Sequence, residues 1–210
     1  MACAGVVLAG GRSSRMGTSK SALEWHGSTL LRRTAGIVAR AVNGPVVVVR
    51  AAGQDLPDLP EQATVIEDPR QGKGPLQGIA AGLAALSGHA EAAFISSTDM
   101  PFLHPVFIRR VLRVLEEHHT TDVALPVARG YPQPLAAAYR VWPAETAERL
   151  VKEDRSRPAF LFDECRVEWL DDATLRQDPV LAALDRISTR CSTSTRRPIS
   201  GRRAPGRHLR

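Results

Sequence analysis

The chain has 210 residues, 43% of them hydrophobic and 24% charged, with 28 Lys and Arg against 22 Asp and Glu. That size and balance suit one globular domain with a substantial core, and no run of about eighteen apolar residues exists to cross a bilayer. The net charge of +6 is local: residues 186–210 hold eight arginines and no acid, so 28 basic residues less these eight leaves 20 against 22 acidic over residues 1–185. The N-terminus, Met1–Gly5, lacks a basic segment before an apolar one, and Val6–Leu8 reads as a first strand and not as a signal peptide. Cys3, Cys165 and Cys191 are scattered, with no Cys-x-x-Cys spacing. This argues against a zinc site or a disulfide framework and for reduced thiols, so a cytoplasmic protein is expected.

The apolar runs Gly5–Leu8, Val46–Val49, Thr64–Ile66, Ala92–Ser96, Asp122–Pro126 and Pro134–Tyr139 predict strands. Several are apolar at consecutive positions, as strands covered on both faces should be. Between them, helical periodicity predicts helices over Thr29–Val42, Leu76–Leu86, Pro105–His118, Ala144–Glu153 and Thr174–Leu184. Start signals agree: Ser28-Thr29 precedes the first helix, and His104-Pro105 opens the third. Alternating strands and helices imply an α/β fold, an open and mainly parallel sheet with helices on both faces. In such sheets ligands lie beyond the carboxyl ends of the strands.

Three strand-end loops carry complementary chemistry. The first, Leu8-Ala9-Gly10-Gly11-Arg12-Ser13-Ser14-Arg15-Met16-Gly17-Thr18-Ser19-Lys20, joins glycines to three cations. Glycines let backbone N–H groups approach a polyanion, and Arg12, Arg15 and Lys20 supply the charge a triphosphate needs. The spacing is neither a Walker loop nor the dinucleotide Gly-x-Gly-x-x-Gly. The second loop carries Glu67-Asp68-Pro69 and Gly74-Pro75-Leu76-Gln77-Gly78, with Pro75 suited to the first turn of a helix. The third, Ser97-Thr98-Asp99-Met100-Pro101-Phe102, delivers a carboxylate, Asp99, at a strand end before a proline-enforced turn. A single carboxylate among phosphates suits Mg²⁺, which commonly takes one or two carboxylates plus phosphate oxygens and waters.

The pattern Leu-Ala-Gly-Gly-x-Ser-x-Arg-Met-Gly-x-x-Lys resembles the signature loop of the MobA-like nucleotidyltransferases, the family of molybdenum cofactor guanylyltransferase. The other two loops fit the same family, as does Tyr131-Pro132-Gln133-Pro134-Leu135-Ala136-Ala137-Ala138-Tyr139, which resembles its acceptor-side strand. The resemblance covers roughly residues 4–185 and implies a three-layer Rossmann-like nucleotidyltransferase domain with a mostly parallel mixed sheet. It implies transfer of GMP from GTP to the phosphate of a molybdopterin-type acceptor, with release of pyrophosphate. Leu8, Ala9, Gly10, Gly11, Arg12, Lys20, Asp68, Gly78 and Asp99 are then the expected nucleotide contacts. Arg15 is expected on the departing pyrophosphate, Lys20 at the α-phosphate, and Asp99 on Mg²⁺. Gly10-Gly11 points to GTP, since cytidylyl relatives usually read Leu-Ala-Ala-Gly. Arg129, Lys152, Arg155 and Arg157 are candidates for the acceptor phosphate, although a solvated charged face explains each of them singly.

Two departures accompany the resemblance. Arg50-Ala51-Ala52-Gly53 stands where the family often has Asn after the second strand. The family's closing Asn-x-Asn-Thr-Pro motif is replaced by Thr189–Pro198. Codon degeneracy permits Ile187 through Gly201 to be read one base out of phase as a stretch containing Asn-Leu-Asn-Thr-Pro over Thr193–Arg197. The expectation is therefore a catalytic domain over 1–185 and a basic, disordered, frameshifted tail over 186–210, leaving the enzyme impaired. A monomer without membrane or nucleic-acid partners is expected. The rival readings are a relative using CTP, a sugar-phosphate or phospholactate, a nucleotide-binding regulator without turnover, and a nucleic-acid module working through the arginine tail.

Overall fold

The computed structural model describes residues 1–10, 23–25, 27–70, 72–100 and 103–183. In chain order these form β1 (Cys3–Leu8), β2 (Glu24–Trp25), β3 (Ser28–Thr29), α1 (Leu30–Ala39), β4 (Val46–Arg50) and β5 (Ala63–Glu67). There follow α2 (Pro75–Ala84), β6 (Ala92–Ser97), α3 (Pro105–Glu117), β7 (Val123–Ala128), β8 (Tyr131–Pro132) and β9 (Ala136–Arg140). The last are α4 (Ala144–Lys152), α5 (Pro158–Phe162), β10 (Val167–Leu170) and α6 (Asp172–Arg176).

The main sheet runs β10-β7-β9-β6-β1-β4-β5, with β8 beside β7. β1 pairs in parallel with both β4 and β6, β4 pairs in parallel with β5, and β10 in parallel with β7. Only β9 and β8 run the other way, β9 between β6 and β7. The fold is thus the expected three-layer Rossmann-like sandwich around a mostly parallel mixed sheet.

Strand periodicity explains the continuous apolar runs. Successive side chains point to opposite faces, so Ala4, Val6, Leu8, Val47, Val49, Ala93, Ile95, Ala137 and Tyr139 fill one core, with Leu76, Ile79 and Leu83 of α2 and Leu150 of α4. Val7, Val46, Val48, Phe94 and Ala138 face the other core, with Leu31 and Ile37 of α1 and Ile108, Val111 and Leu115 of α3. A one-residue slip would exchange the two sets, which holds the register firmly.

Local signals set the element ends. Thr29 caps α1, its Oγ1 accepting from the Arg32 N–H at 3.3 Å, so the helix starts one residue later than the periodicity suggested. His104 caps α3 through Nδ1, which accepts from the Val106 N–H at 3.2 Å, with Pro105 in the first turn. Elsewhere the structure departs from the expected elements. The single strand over Pro134–Tyr139 begins only at Ala136, because Tyr131–Pro132 first folds back on β7 through a turn with Arg129 and Gly130 at positive φ. The single helix over Thr174–Leu184 is broken: α6 ends at Arg176, and Asp178 Oδ1 accepts from the N–H groups of Val180 and Leu181 to start a new turn. β10 and α5 have no clear signature in the sequence, since each is only four or five residues long with a single fully buried residue, Leu170 and Leu161.

Candidate nucleotide and acceptor site

β1, β4, β5 and β6 are mutually parallel neighbours, so their carboxyl ends open on one edge of the sheet. Three of the sequence-predicted clusters therefore converge there: Leu8–Gly10 after β1, Asp68 after β5 and Asp99 after β6. Gly11, Arg12, Arg15 and Lys20, which continue the first loop, lie outside the described residues, as does the tail from residue 184 onward.

The first loop is anchored at its start. The N–H groups of Ala9 and Gly10 both donate to the Val49 carbonyl, at 2.8 and 3.3 Å. Gln54 then joins the ends of β1 and β4: its Nε2 donates to the Ala9 carbonyl at 3.1 Å, and its Oε1 accepts from the Ala51 N–H at 3.0 Å. A Cβ on Gly10 would stand 3.3 Å from the Ala51 backbone nitrogen, so the close passage of these two chain segments favours glycine. Leu8 itself is buried, and its side chain belongs to the core. Only its backbone end leads toward a ligand.

Arg50 occupies the departure noted after the second strand. Its Nη2 meets Glu67 Oε1 at 2.8 Å across the β4–β5 pair, and its Nη1 donates to the Gln54 carbonyl at 3.0 Å. Glu67 Oε1 also accepts from the Gly53 N–H at 3.4 Å. These bonds fix the turn over residues 50–54 as one wall of the site. Gln54 and Arg50 were not singled out from sequence as site residues. The signal available is only Arg50 closing a buried valine strand and Gln54 four residues later.

Asp68 begins the next wall. Its N–H donates to the Arg50 carbonyl at 2.7 Å, and its Oδ1 accepts from the Arg70 N–H at 2.9 Å. Partial burial pushes its carboxyl above the usual range, against the opposing pull of the Arg70 N–H. Gly78 sits inside α2 with Leu8 as its neighbour: a Cβ there would lie 3.2 Å from both Leu8 Cδ atoms. The glycine lets α2 pack closely over Leu8, at the start of the first loop.

Asp99 is exposed at the end of β6. Its Oδ1 accepts from Ser97 Oγ at 2.6 Å. Among the described residues no cluster of three or more His, Cys, Asp or Glu is present. A single exposed carboxylate such as Asp99 is still a donor that Mg²⁺ can take, since that ion commonly combines one or two carboxylates with phosphate oxygens and waters.

Beside Asp99 opens a cavity of about 660 Å³. The β6 end supplies Ser97, Asp99 and Met100, α3 and its approach supply Leu103 and Phe107, and the β8–β9 segment supplies Gln133–Ala136. The lining is mostly apolar, in a size range usual for small-molecule sites. Its walls are braced. Phe107 packs edge-on against Phe94 at 6.1 Å, Tyr139 Oη donates to the Pro134 carbonyl at 2.8 Å, and the Gln133 N–H donates to the Pro126 carbonyl at 2.8 Å.

The four candidate acceptor cations do not line this cavity. Lys152 pairs with Glu148 at 2.9 Å, and Arg155 reaches Glu164 at 3.5 Å and stacks over the Phe160 ring at 4.7 Å. Arg129 sits in the β7–β8 turn, and Arg157 precedes α5. Packing and ion pairs on the protein surface account for Lys152 and Arg155.

Residues 5–168 match the MobA-like NTP transferase domain. The chain belongs to this family. A relative from Mycobacterium avium, named "Probable molybdenum cofactor guanylyltransferase", is 38% identical over 154 residues, covering 72% of this chain and 76% of its own. One of the same name from Bacillus cytotoxicus is 30% identical over 169 residues, covering 80% and 83%. Among solved structures, molybdopterin-guanine dinucleotide biosynthesis protein A from Archaeoglobus fulgidus superposes with a TM-score of 0.66 at 22% identity, covering 91% of this chain and all of that one. The CMP:2-keto-3-deoxy-manno-octonic acid synthetase shares the fold at a TM-score of 0.57 and 13% identity. The protein is thus a MobA-like nucleotidyltransferase by family and by fold. Among the described residues no helix is long and apolar enough to cross a membrane.

Proposed function

We propose that the protein transfers GMP from GTP to the phosphate of a molybdopterin-type acceptor and releases pyrophosphate. The observation that carries this reading is the convergence of three strand ends, bearing Gly10, Asp68 and Asp99, beside one large apolar cavity. That arrangement offers a polar strip for a nucleotide and, next to it, an apolar recess for a ring system. The names of the relatives support the same assignment.

The chemistry needs little from the protein beyond position and charge. An acceptor phosphate behaving as a phosphomonoester has its second pKa near 6, so about neutral pH its oxygen is already a nucleophile. That oxygen attacks the α-phosphorus of GTP, the bond from the α-phosphorus to the bridging oxygen breaks, and pyrophosphate leaves with the electron pair. Of the loop segment from Gly10 to Arg12, the backbone N–H groups of Gly11 and Arg12 are assigned to the phosphates, since the Gly10 N–H already donates to the Val49 carbonyl, and Asp68 is assigned to the nucleoside side. Arg15 is assigned to the departing pyrophosphate and Lys20 to the charge that builds at the α-phosphate. Asp99 is the residue assigned to hold Mg²⁺, which when bound neutralises phosphate charge. Gln133–Ala136, with Met100 and Phe107, form the acceptor recess.

The test is pyrophosphate release with each of the four NTPs, with and without molybdopterin. Release that needs both GTP and molybdopterin is expected. Release with CTP instead of GTP, or with a sugar phosphate instead of molybdopterin, would replace this reading by a sister activity. Nucleotide binding without any release would make the chain a nucleotide-binding regulator.

A further inference from the structure

The cavity beside Asp99 is walled by the apolar side chains of Met100, Leu103, Phe107, Pro134 and Leu135. Among the described residues that line it, three carry a polar side chain: Ser97, Asp99 and Gln133. Ser97 and Asp99 sit together at the end of β6, bonded at 2.6 Å. Gln133 comes from a different wall, the segment between β8 and β9. In a mostly apolar recess the few polar groups fix a ligand's orientation and provide specificity. What Gln133 still has to offer therefore bears on what the recess can hold.

The hydrogen-bonding groups of Gln133 can be accounted for one by one. Its backbone N–H donates to the Pro126 carbonyl at 2.8 Å, and its backbone carbonyl accepts from the Ala136 N–H at 3.0 Å. Its side-chain Nε2 donates to the Tyr131 carbonyl at 2.9 Å. That last bond also orients the amide. A carbonyl can pair only with the NH₂ end, so Oε1 is the end turned away from it. Among the described residues no donor reaches Oε1. The bonds to Pro126 and Ala136 hold the backbone, and the bond to Tyr131 holds the side chain. Little freedom is left for Gln133 to lose when a ligand arrives, which favours binding.

We propose that Gln133 selects the acceptor, its Oε1 accepting a hydrogen bond from a ring N–H of a flat nitrogen heterocycle seated in the recess. This rests on the proposed function and names the chemistry by which that site chooses its substrate. The walls suit such a ligand: Met100, Leu103, Phe107 and Leu135 offer apolar surface to ring faces. Sugar hydroxyls buried against the same side chains without partners would cost free energy. Oε1 is a neutral oxygen with no proton to give, so it matches an N–H edge and opposes a bare ring nitrogen.

Fluorescence titration of the full chain with 6-hydroxymethylpterin phosphate tests this without turnover. Naphthylmethyl phosphate, a flat ring of similar size with no ring N–H, serves as the reference ligand. The readout is the ratio of the two dissociation constants. In Gln133→Met, which keeps the side-chain length, the pterin phosphate should bind about fivefold more weakly, the size of one neutral hydrogen bond. Binding of naphthylmethyl phosphate should not change, so the ratio moves by the same factor. Gln133→Leu should give the same shift and keeps the test open where the methionine variant fails to fold. A ratio unmoved in both variants overturns the role of Gln133. An equal loss of both ligands overturns it too, because that is the mark of a residue that only braces the segment before β9. Pyrophosphate release separates this claim from the proposed function. Wild-type release that needs GTP and molybdopterin, at a molybdopterin KM that both variants leave unchanged, overturns the role of Gln133 alone. Wild-type release with ribose 5-phosphate in place of molybdopterin overturns both.

Discussion

Two glycines of α2 face β1, and they should respond differently to the same substitution. A Cβ at position 82 would stand 2.4 Å from Val6 Cγ1 and 3.1 Å from Val6 Cγ2. Val6 is fully buried, and its branched side chain is stiff at χ1, so it cannot swing away. Overpacking of this kind costs about 1–3 kcal/mol. The new alanine recovers roughly 1 kcal/mol of helix propensity. For Gly82→Ala the balance is a loss of about 1–2 kcal/mol, because an overlap this deep falls at the upper end of the packing cost. A domain of this size converts that to a drop in Tm of about 2–8 °C. At position 78 the Cβ would meet Leu8 Cδ1 and Cδ2 at 3.2 Å, only slightly tighter than ordinary contact. Those are the far ends of a flexible side chain, and a small torsion relieves them. The same roughly 1 kcal/mol of propensity then offsets the strain, and Gly78→Ala should stay within about 0.5 kcal/mol of wild type. Its effect should appear in function instead, because Leu8 leads directly into Ala9–Gly10, and GTP KM should rise while Tm holds. Urea and thermal unfolding of both variants decide the matter. A Gly82→Ala protein as stable as wild type, or a Gly78→Ala protein less stable than Gly82→Ala, would refute the packing argument.

Asp68→Asn should raise Tm at neutral pH. Burial lifts the Asp68 carboxyl above its unfolded value, so the folded state holds its proton longer and stability falls as pH rises through that window; the asparagine removes the loss, and its advantage should vanish below the ordinary carboxylate range, as thermal unfolding against pH would show. The same variant should raise GTP KM. Tyr139→Phe removes the hydroxyl that braces the Pro134 carbonyl; unfolding should show a loss of about 1 kcal/mol, with acceptor KM rising more than GTP KM. Asp122→Ala leaves the Arg166 N–H without its 2.8 Å partner at the opposite edge of the sheet from the site; denaturant unfolding should show about 1–3 kcal/mol lost with GTP KM unchanged. Lys20→Ala should lower the single-turnover rate by roughly 10²–10³-fold, as loss of one transition-state charge partner does, and a wild-type rate with weakened binding would make Lys20 a binding residue.

Much of this protein is legible along the chain. The continuous valine and alanine runs of β1, β4 and β6 could be satisfied only by burial on both faces, so an α/β sandwich follows from them. The parallel order then places every loop after those strands on one edge, and the chemistry of Gly10, Asp68 and Asp99 follows from residue type and position. Their standing as neighbours needed only the handedness and parallelism of the crossovers. Other features could not be read in one dimension. β10 has four residues with one fully buried, and it is a strand because β7 offers it a partner. The reversal at Arg129-Gly130 and the break at Asp178 are local turns that override a longer apolar pattern. The acceptor recess depends on the antiparallel strand β9 bringing Gln133–Ala136 across from Met100 and Phe107, residues about thirty positions earlier in the chain. Glycine 78 shows the limit most plainly. Its residue type suits a ligand or a neighbouring side chain equally, and that Leu8 lies opposite it is visible only in three dimensions, because packing is a property of what lies opposite a residue and not of what lies beside it in sequence.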